Sequence, residues 1–206
     1  MLEGAKFIKA LFFMPFIHNF QAIFSSNVIA FWPDGSEKLI VKSQPQQIYD
    51  FLFESAGPGC TFLMTPWLAE EVKRLLVSND AAWEVELHDW LTYAVCRAHN
   101  KTWVIDHMPS IRYRQHNFNV MGANSGIKPA LSRLKKINNG WYRHQVTLVS
   151  KVVASINPDF QFLFFREIIQ RKTFANQLSL LSYAMSGRRA PLARLGLFFS
   201  VLFFIF

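Results

Sequence analysis

Residues 88–123 read HDWLTYAVCRAHNKTWVIDHMPSIRYRQHNFNVMGA, and this run constrains the chain more than any other. It opens on His88-Asp89 at the start of a helical pattern. Short strand patterns follow at 103–105 and 110–114, then a polar loop with Arg114, His116 and Asn119. That order sets a carboxylate and an imidazole at neighbouring element ends, where binding and catalytic groups gather. Taken singly, each has a plainer use. An acidic residue at a helix start complements the helix dipole, and a loop histidine serves equally well as a backbone hydrogen-bond partner.

The stretch before this run alternates turn and element signals. Residues 5–20 have a helical apolar period, interrupted at Pro15. Residues 22–32 read as a strand, Pro33-Asp34-Gly35-Ser36 as a turn, and 37–41 as a second arm of a hairpin. Residues 47–54 suit a short helix. Gly57-Pro58-Gly59 breaks the chain before an apolar strand pattern at 60–64, and Thr65-Pro66 supplies an N-cap and first-turn proline for a helix running to about Leu76. After Gly126 the character changes. Residues 141–156, 160–170 and 174–186 each carry an apolar stripe, and an apolar run, LGLFFSVLFFIF, occupies 195–206.

The net charge of +8 is unevenly spread: residues 1–130 hold 11 Lys+Arg against 12 Asp+Glu, whereas residues 131–206 hold 11 against 2. A basic C-terminal part ending in an apolar run predicts attraction to an anionic lipid surface. The run of 12 residues is too short to span a bilayer, which takes about 20. No signal-peptide pattern is present at the start. Nucleic acid is the weaker partner, because the aromatics sit in apolar runs rather than interleaved with basic residues. With 51% hydrophobic residues the chain is not globally disordered. Cys60 and Cys96 form no disulfide framework or metal-ligand spacing, so both are expected as reduced thiols.

Three segments together carry a resemblance: Gly57-Pro58-Gly59-Cys60-Thr61, His88-Asp89-Trp90, and the loop Tyr113-Arg114-Gln115-His116-Asn117-Phe118-Asn119 that runs on to Gly122. They are similar to the acceptor-side half of family 2 glycosyltransferases of the GT-A fold, of the bacterial rhamnosyltransferase type. The resemblance implies an α/β fold, with residues 1–125 the acceptor half of a nucleotide-diphospho-sugar transferase domain and residues 126–206 a basic, amphipathic, membrane-associating helical tail. It implies inversion at the anomeric carbon, with Asp89 as general base. Gly59, Cys60, Thr61, His88 and Trp90 would line the acceptor, Arg114, Gln115 and Asn119 would meet the donor diphosphate, and His116 would ligate a divalent metal (Mg²⁺ or Mn²⁺).

The implied donor is a nucleotide sugar, with rhamnose the expected type of sugar. The acceptor is a lipid-linked saccharide in O-antigen or capsule synthesis, at the cytoplasmic face of the bacterial inner membrane. The family's Asp-x-Asp metal motif occurs nowhere in the 206 residues. The chain is therefore expected to lack the donor half and to be inactive alone. The alternative from another class is a non-catalytic, membrane-peripheral interaction protein, which leaves the spacing of these three segments unexplained.

Overall fold

The computed structural model describes residues 23–115 and 140–206. The fold is mixed α/β, as expected: a three-stranded sheet packed with helices. Strand β1, Ile23–Phe31, is central and buried along most of its length. It pairs antiparallel with β2, Glu37–Ile40, through a turn in which the Asp34 carboxylate accepts from the Ser36 amide at 2.9 Å. Gly35 takes φ +84 there, a value open to glycine at little cost. On its other side β1 pairs parallel with β3, Trp103–Arg114.

The two short strands expected at 103–105 and 110–114 are thus one strand with a slipped register. Asp106 faces Ser26 and Ile111 faces Val28, so residues 107–110 stand opposite Asn27 alone. The slip accommodates Pro109, which has no amide to give to a ladder. Asn27 is buried and makes use of the irregularity. Its amide nitrogen donates to the His107 carbonyl (2.8 Å) and Ser43 Oγ (3.1 Å), and its oxygen accepts from the Lys42 and Ser43 amides (2.6 and 3.1 Å). Bulges of this kind commonly re-aim a chain beside a site.

Among the described residues seven helices follow or flank the sheet: α1 Pro66–Ser78, α2 Asp80–Glu84, α3 His88–Ala98, α4 Trp141–Ile156, α5 Phe160–Gln170, α6 Phe174–Ala184 and α7 Pro191–Leu202. Thr65 caps α1 through Oγ1, which accepts from the Leu68 amide, with Pro66 at the first position as the sequence predicts. Helix α2 begins at the end of the polar stretch Ser78-Asn79-Asp80. Asn79 caps it, accepting from Ala81 and Ala82. Two expected elements differ. Residues 47–54 hold only the 3₁₀ turn Asp50–Leu52, with the Asp50 carboxylate accepting from the Gln47 amide. In place of a strand at 60–64 there is the 3₁₀ turn Gly59–Thr61 and a single bridge between Phe24 and Leu63.

The helices after Gly140 share one hydrophobic core with the sheet side. Val146, Val149 and Val152 of α4 and Leu180 of α6 pack in the same cluster as Ile23, Trp90 and Tyr93. The boundary expected at 125/126 lies outside the described residues. The apolar run 195–206 is divided: Leu197, Val201 and Phe206 are buried, while Leu195, Phe199 and Phe203 are exposed. No helix among the described residues is long and apolar enough to cross a membrane.

A polar tie also crosses this core. Arg189, in the turn between α6 and α7, is 2% exposed and pairs with the fully buried Asp50 at 3.2 Å. Asp50 also meets Arg97 at 3.2 Å and accepts from the Tyr93 hydroxyl at 2.9 Å. Neighbouring Arg188 pairs with Glu54 at 3.5 Å and donates to the Tyr142 hydroxyl at 2.7 Å. Beside them, a Cβ on Gly187 would come within 2.6 Å of the Phe53 ring, so only glycine lets this turn lie so close.

Candidate active site

The start of α3 faces the Gly57–Thr61 turn. A Cβ on Gly59 would lie 2.8 Å from His88 Nε2 and 3.4 Å from Asp89 Cβ, so the bare glycine makes the room that His88 occupies. Asp89 is half-buried, and its Oδ1 accepts from the Trp90 amide at 2.8 Å, a helix-start bond that fixes the carboxylate's position. Burial pushes the Asp89 carboxyl above the usual range; that hydrogen bond, His88 and Lys42 hold it back. A carboxylate kept near positive charge is held in the ionised form that can accept a proton.

Two further residues bear electrostatically on Asp89 or on its surroundings: Tyr113, given no role in the sequence reading, and Lys42, which that reading missed. Tyr113 on β3 has its phenol pushed up by burial, then by the charges of Cys60 and Asp89. Lys42 follows β2 and is held by Asn27 through its backbone, with its side chain against Gly57. Burial pushes the Lys42 ammonium down. Glu54 and Asp89 pull it up, and Arg189 and Arg188 push it down again. The only sequence signal for Lys42 was a lone cation just past the hairpin. Its importance depends on the Asn27 irregularity, which no local pattern announces.

Replacing Lys42 by methionine should raise the Asp89 carboxyl pKa, since the ammonium favours the ionised form. Carboxyl carbon shifts followed by NMR across pH in both proteins check this. An unmoved Asp89 titration would mean the two groups do not sense each other.

The remaining expected site residues divide. Cys60 is exposed, and Thr61 is buried with its hydroxyl donating to the Pro58 carbonyl at 2.8 Å. Trp90, expected at the acceptor, lies in the core at 2% exposure. Its indole N–H donates to the Phe51 carbonyl (2.9 Å) and its ring stacks on Tyr142, which leaves no open face for a sugar. Arg114 ends β3 with its guanidinium over the Phe31 ring (5.9 Å to the centroid). Gln115 is buried, its amide donating to Phe31 O at 2.8 Å. His116 and Asn119 lie outside the described residues, as does Gly122.

Among the described residues no group of three or more His, Cys, Asp or Glu comes together to hold a metal ion. A cavity of about 350 Å³ opens at the other end of α3, lined by Ile48, Phe51, Arg97, Lys101 and Phe162 among others. It is separate from Asp89, and its Arg97 is already engaged with Asp50 and Tyr93.

The chain is similar to the dTDP-rhamnosyl transferase RfbG of Shigella flexneri, with 40% identity over 139 residues, 67% of this chain and 48% of that protein. It thus spans about half the length of that relative. No family model and no solved structure matches it.

Proposed function

We propose that this chain is the acceptor-side part of an inverting, GT-A type family 2 glycosyltransferase that moves a rhamnosyl unit from a dTDP-linked donor. The acceptor is a saccharide on a lipid carrier, in bacterial surface polysaccharide assembly (O-antigen or capsule). The observation that carries the reading is Asp89: a carboxylate fixed at a helix start, raised by burial and facing the Gly57–Thr61 turn. The similarity to RfbG supports the sugar and the nucleotide.

In the proposed step an acceptor hydroxyl enters beside Asp89, at the edge of the Gly57–Thr61 turn against which His88 packs. Asp89 accepts the hydroxyl proton while the oxygen attacks the anomeric carbon, forming the new C–O bond. The bond from that carbon to the diphosphate oxygen breaks, and dTDP leaves with its electron pair. Lys42, near Asp89, keeps the carboxylate available in its ionised form. Arg114, Gln115 and Asn119 are proposed to meet the departing diphosphate. A divalent metal, Mg²⁺ or Mn²⁺, would neutralise that diphosphate. His116 is proposed as one of its ligands, with carboxylates from outside the 206 residues. The protein is proposed to act at the cytoplasmic face of the inner membrane.

The test joins this chain to the portion of RfbG that the alignment leaves uncovered and measures dTDP release from dTDP-rhamnose with a lipid-linked acceptor. The fusion is expected to turn over and the 206 residues alone to be inactive. A folded fusion without turnover would overturn the transferase reading and favour a non-catalytic membrane-peripheral role.

A further inference from the structure

Among the described residues, several of the cations after residue 130 are engaged within the molecule. Arg143 is buried and donates to the Ile169 and Phe206 carbonyls. Arg188 and Arg189 are tied to Glu54 and Asp50. Arg194 donates to the carbonyls of residues 188 and 189, and Arg166 pairs with Glu167. Charge counted along the chain therefore overstates what a headgroup layer can meet.

The apolar surface is the reverse: more is outside than the sequence suggests. Helix α7 turns Leu197 and Val201 inward and leaves Leu192 (84% exposed), Leu195, Phe199 and Leu202 outside, spaced three, four and three residues apart. That spacing makes a stripe as wide as the face a globular helix normally buries. Phe203 (65% exposed) stacks on Phe199 and extends it. Helix α6 adds Phe174 and Leu178, with Phe174 stacked on Phe204, and an apolar groove of about 120 Å³ runs between them. The Ser200 hydroxyl donates to the Leu197 carbonyl, so it offers no polar contact. Arg171 and Lys172 stand exposed at the head of α6, and no Asp or Glu follows Glu167.

We propose that this face is a membrane-insertion surface. The Leu/Phe stripe of α7, with Phe174 and Leu178, lies in the interfacial layer of a bilayer, and Arg171 and Lys172 meet anionic headgroups at its edge. The charge complementarity favours lipid: an apolar face with a cationic edge and no acid matches an anionic leaflet. A protein interface would more often carry Tyr, Trp and hydrogen-bonding groups at its centre. The attachment rests on the peripheral-membrane part of the reading above and is independent of sugar transfer. It also changes the expected physics, since insertion and not charge supplies most of the binding.

Flotation of the 206-residue protein with phosphatidylcholine vesicles and with phosphatidylglycerol-containing vesicles, without any nucleotide sugar, tests this. Binding to both is expected, stronger on the anionic vesicles by about fivefold for each of the two edge cations. The double variant Phe199→Gln/Phe203→Gln should lose on the order of a hundredfold in partitioning, with circular dichroism and unfolding temperature unchanged. Arg171→Gln/Lys172→Gln should lose only the preference for anionic vesicles. A protein that stays with neither vesicle, or a Phe variant that binds as well as the parent, overturns the proposal. So does a dimer in sedimentation that the Phe variant abolishes while vesicle binding is absent, since a second copy would then cover the face.

Discussion

Asp50→Asn should cost about 3–5 kcal/mol of folding stability, the usual loss when one member of a buried ion pair is removed. The carboxylate is fully buried and touches Arg189 and Arg97, both at 3.2 Å. Neutralising it leaves the Arg189 guanidinium, 1% exposed, with Glu54 at 3.7 Å as its nearest acid. Arg189 Nε already lacks a partner, so the site has little reserve. Arg97→Met should cost less. Arg97 is 17% exposed at its side chain, so its charge is partly solvated, and Asp50 keeps Arg189. Urea unfolding of the three proteins measures the difference. A loss below about 1 kcal/mol for Asp50→Asn would mean that water reaches the pair in solution. The consequence for function is positional, because Arg188 and Arg189 bear electrostatically on Lys42, and Lys42 bears on Asp89.

Asp89→Asn in the active fusion should lower kcat by about 10²–10⁴-fold, the range for loss of a general base. The fold should be unaffected, because the asparagine oxygen can still accept from the Trp90 amide as Asp89 Oδ1 does. The pH dependence follows from the direction of the shift. Asp89 must be ionised to take a proton, and burial raises its pKa. The acid limb of kcat/KM therefore lies above the ordinary aspartate range, with activity lost as pH falls through it. Lys42→Met, which raises the same group further, should move that limb to higher pH. A near-normal rate for Asp89→Asn would remove this residue from the role of base.

What could be read along the chain was whatever is decided by near neighbours. The Thr65-Pro66 start of α1, the Gly35 turn, the apolar stripes of α4 to α6 and Asp89 at the head of α3 each depend on residues within a few positions. Periodicity says which side of an element is apolar but not what covers it. The resemblance put Trp90 at the acceptor; it lies in the core, stacked on Tyr142 fifty-two positions away.

Charge shows the same division most clearly. Eleven basic residues against two acidic ones is a property of the sequence after residue 130. Where those charges are spent is decided by partners far away in the chain: Asp50 lies 139 positions from Arg189. Lys42 owes its relation to Asp89 to a bulge clamped by Asn27, where strands 80 residues apart meet out of step. Sequence alone determined helices α1, α3 and α4 to α6, the hairpin and the carboxylate at a helix start, because local sterics, caps and hydrophobic period are short-range. Only the tertiary structure decided which cations neutralise which acids, which apolar faces are covered, and which groups stand around Asp89, because burial and Coulomb energy depend on distance through space.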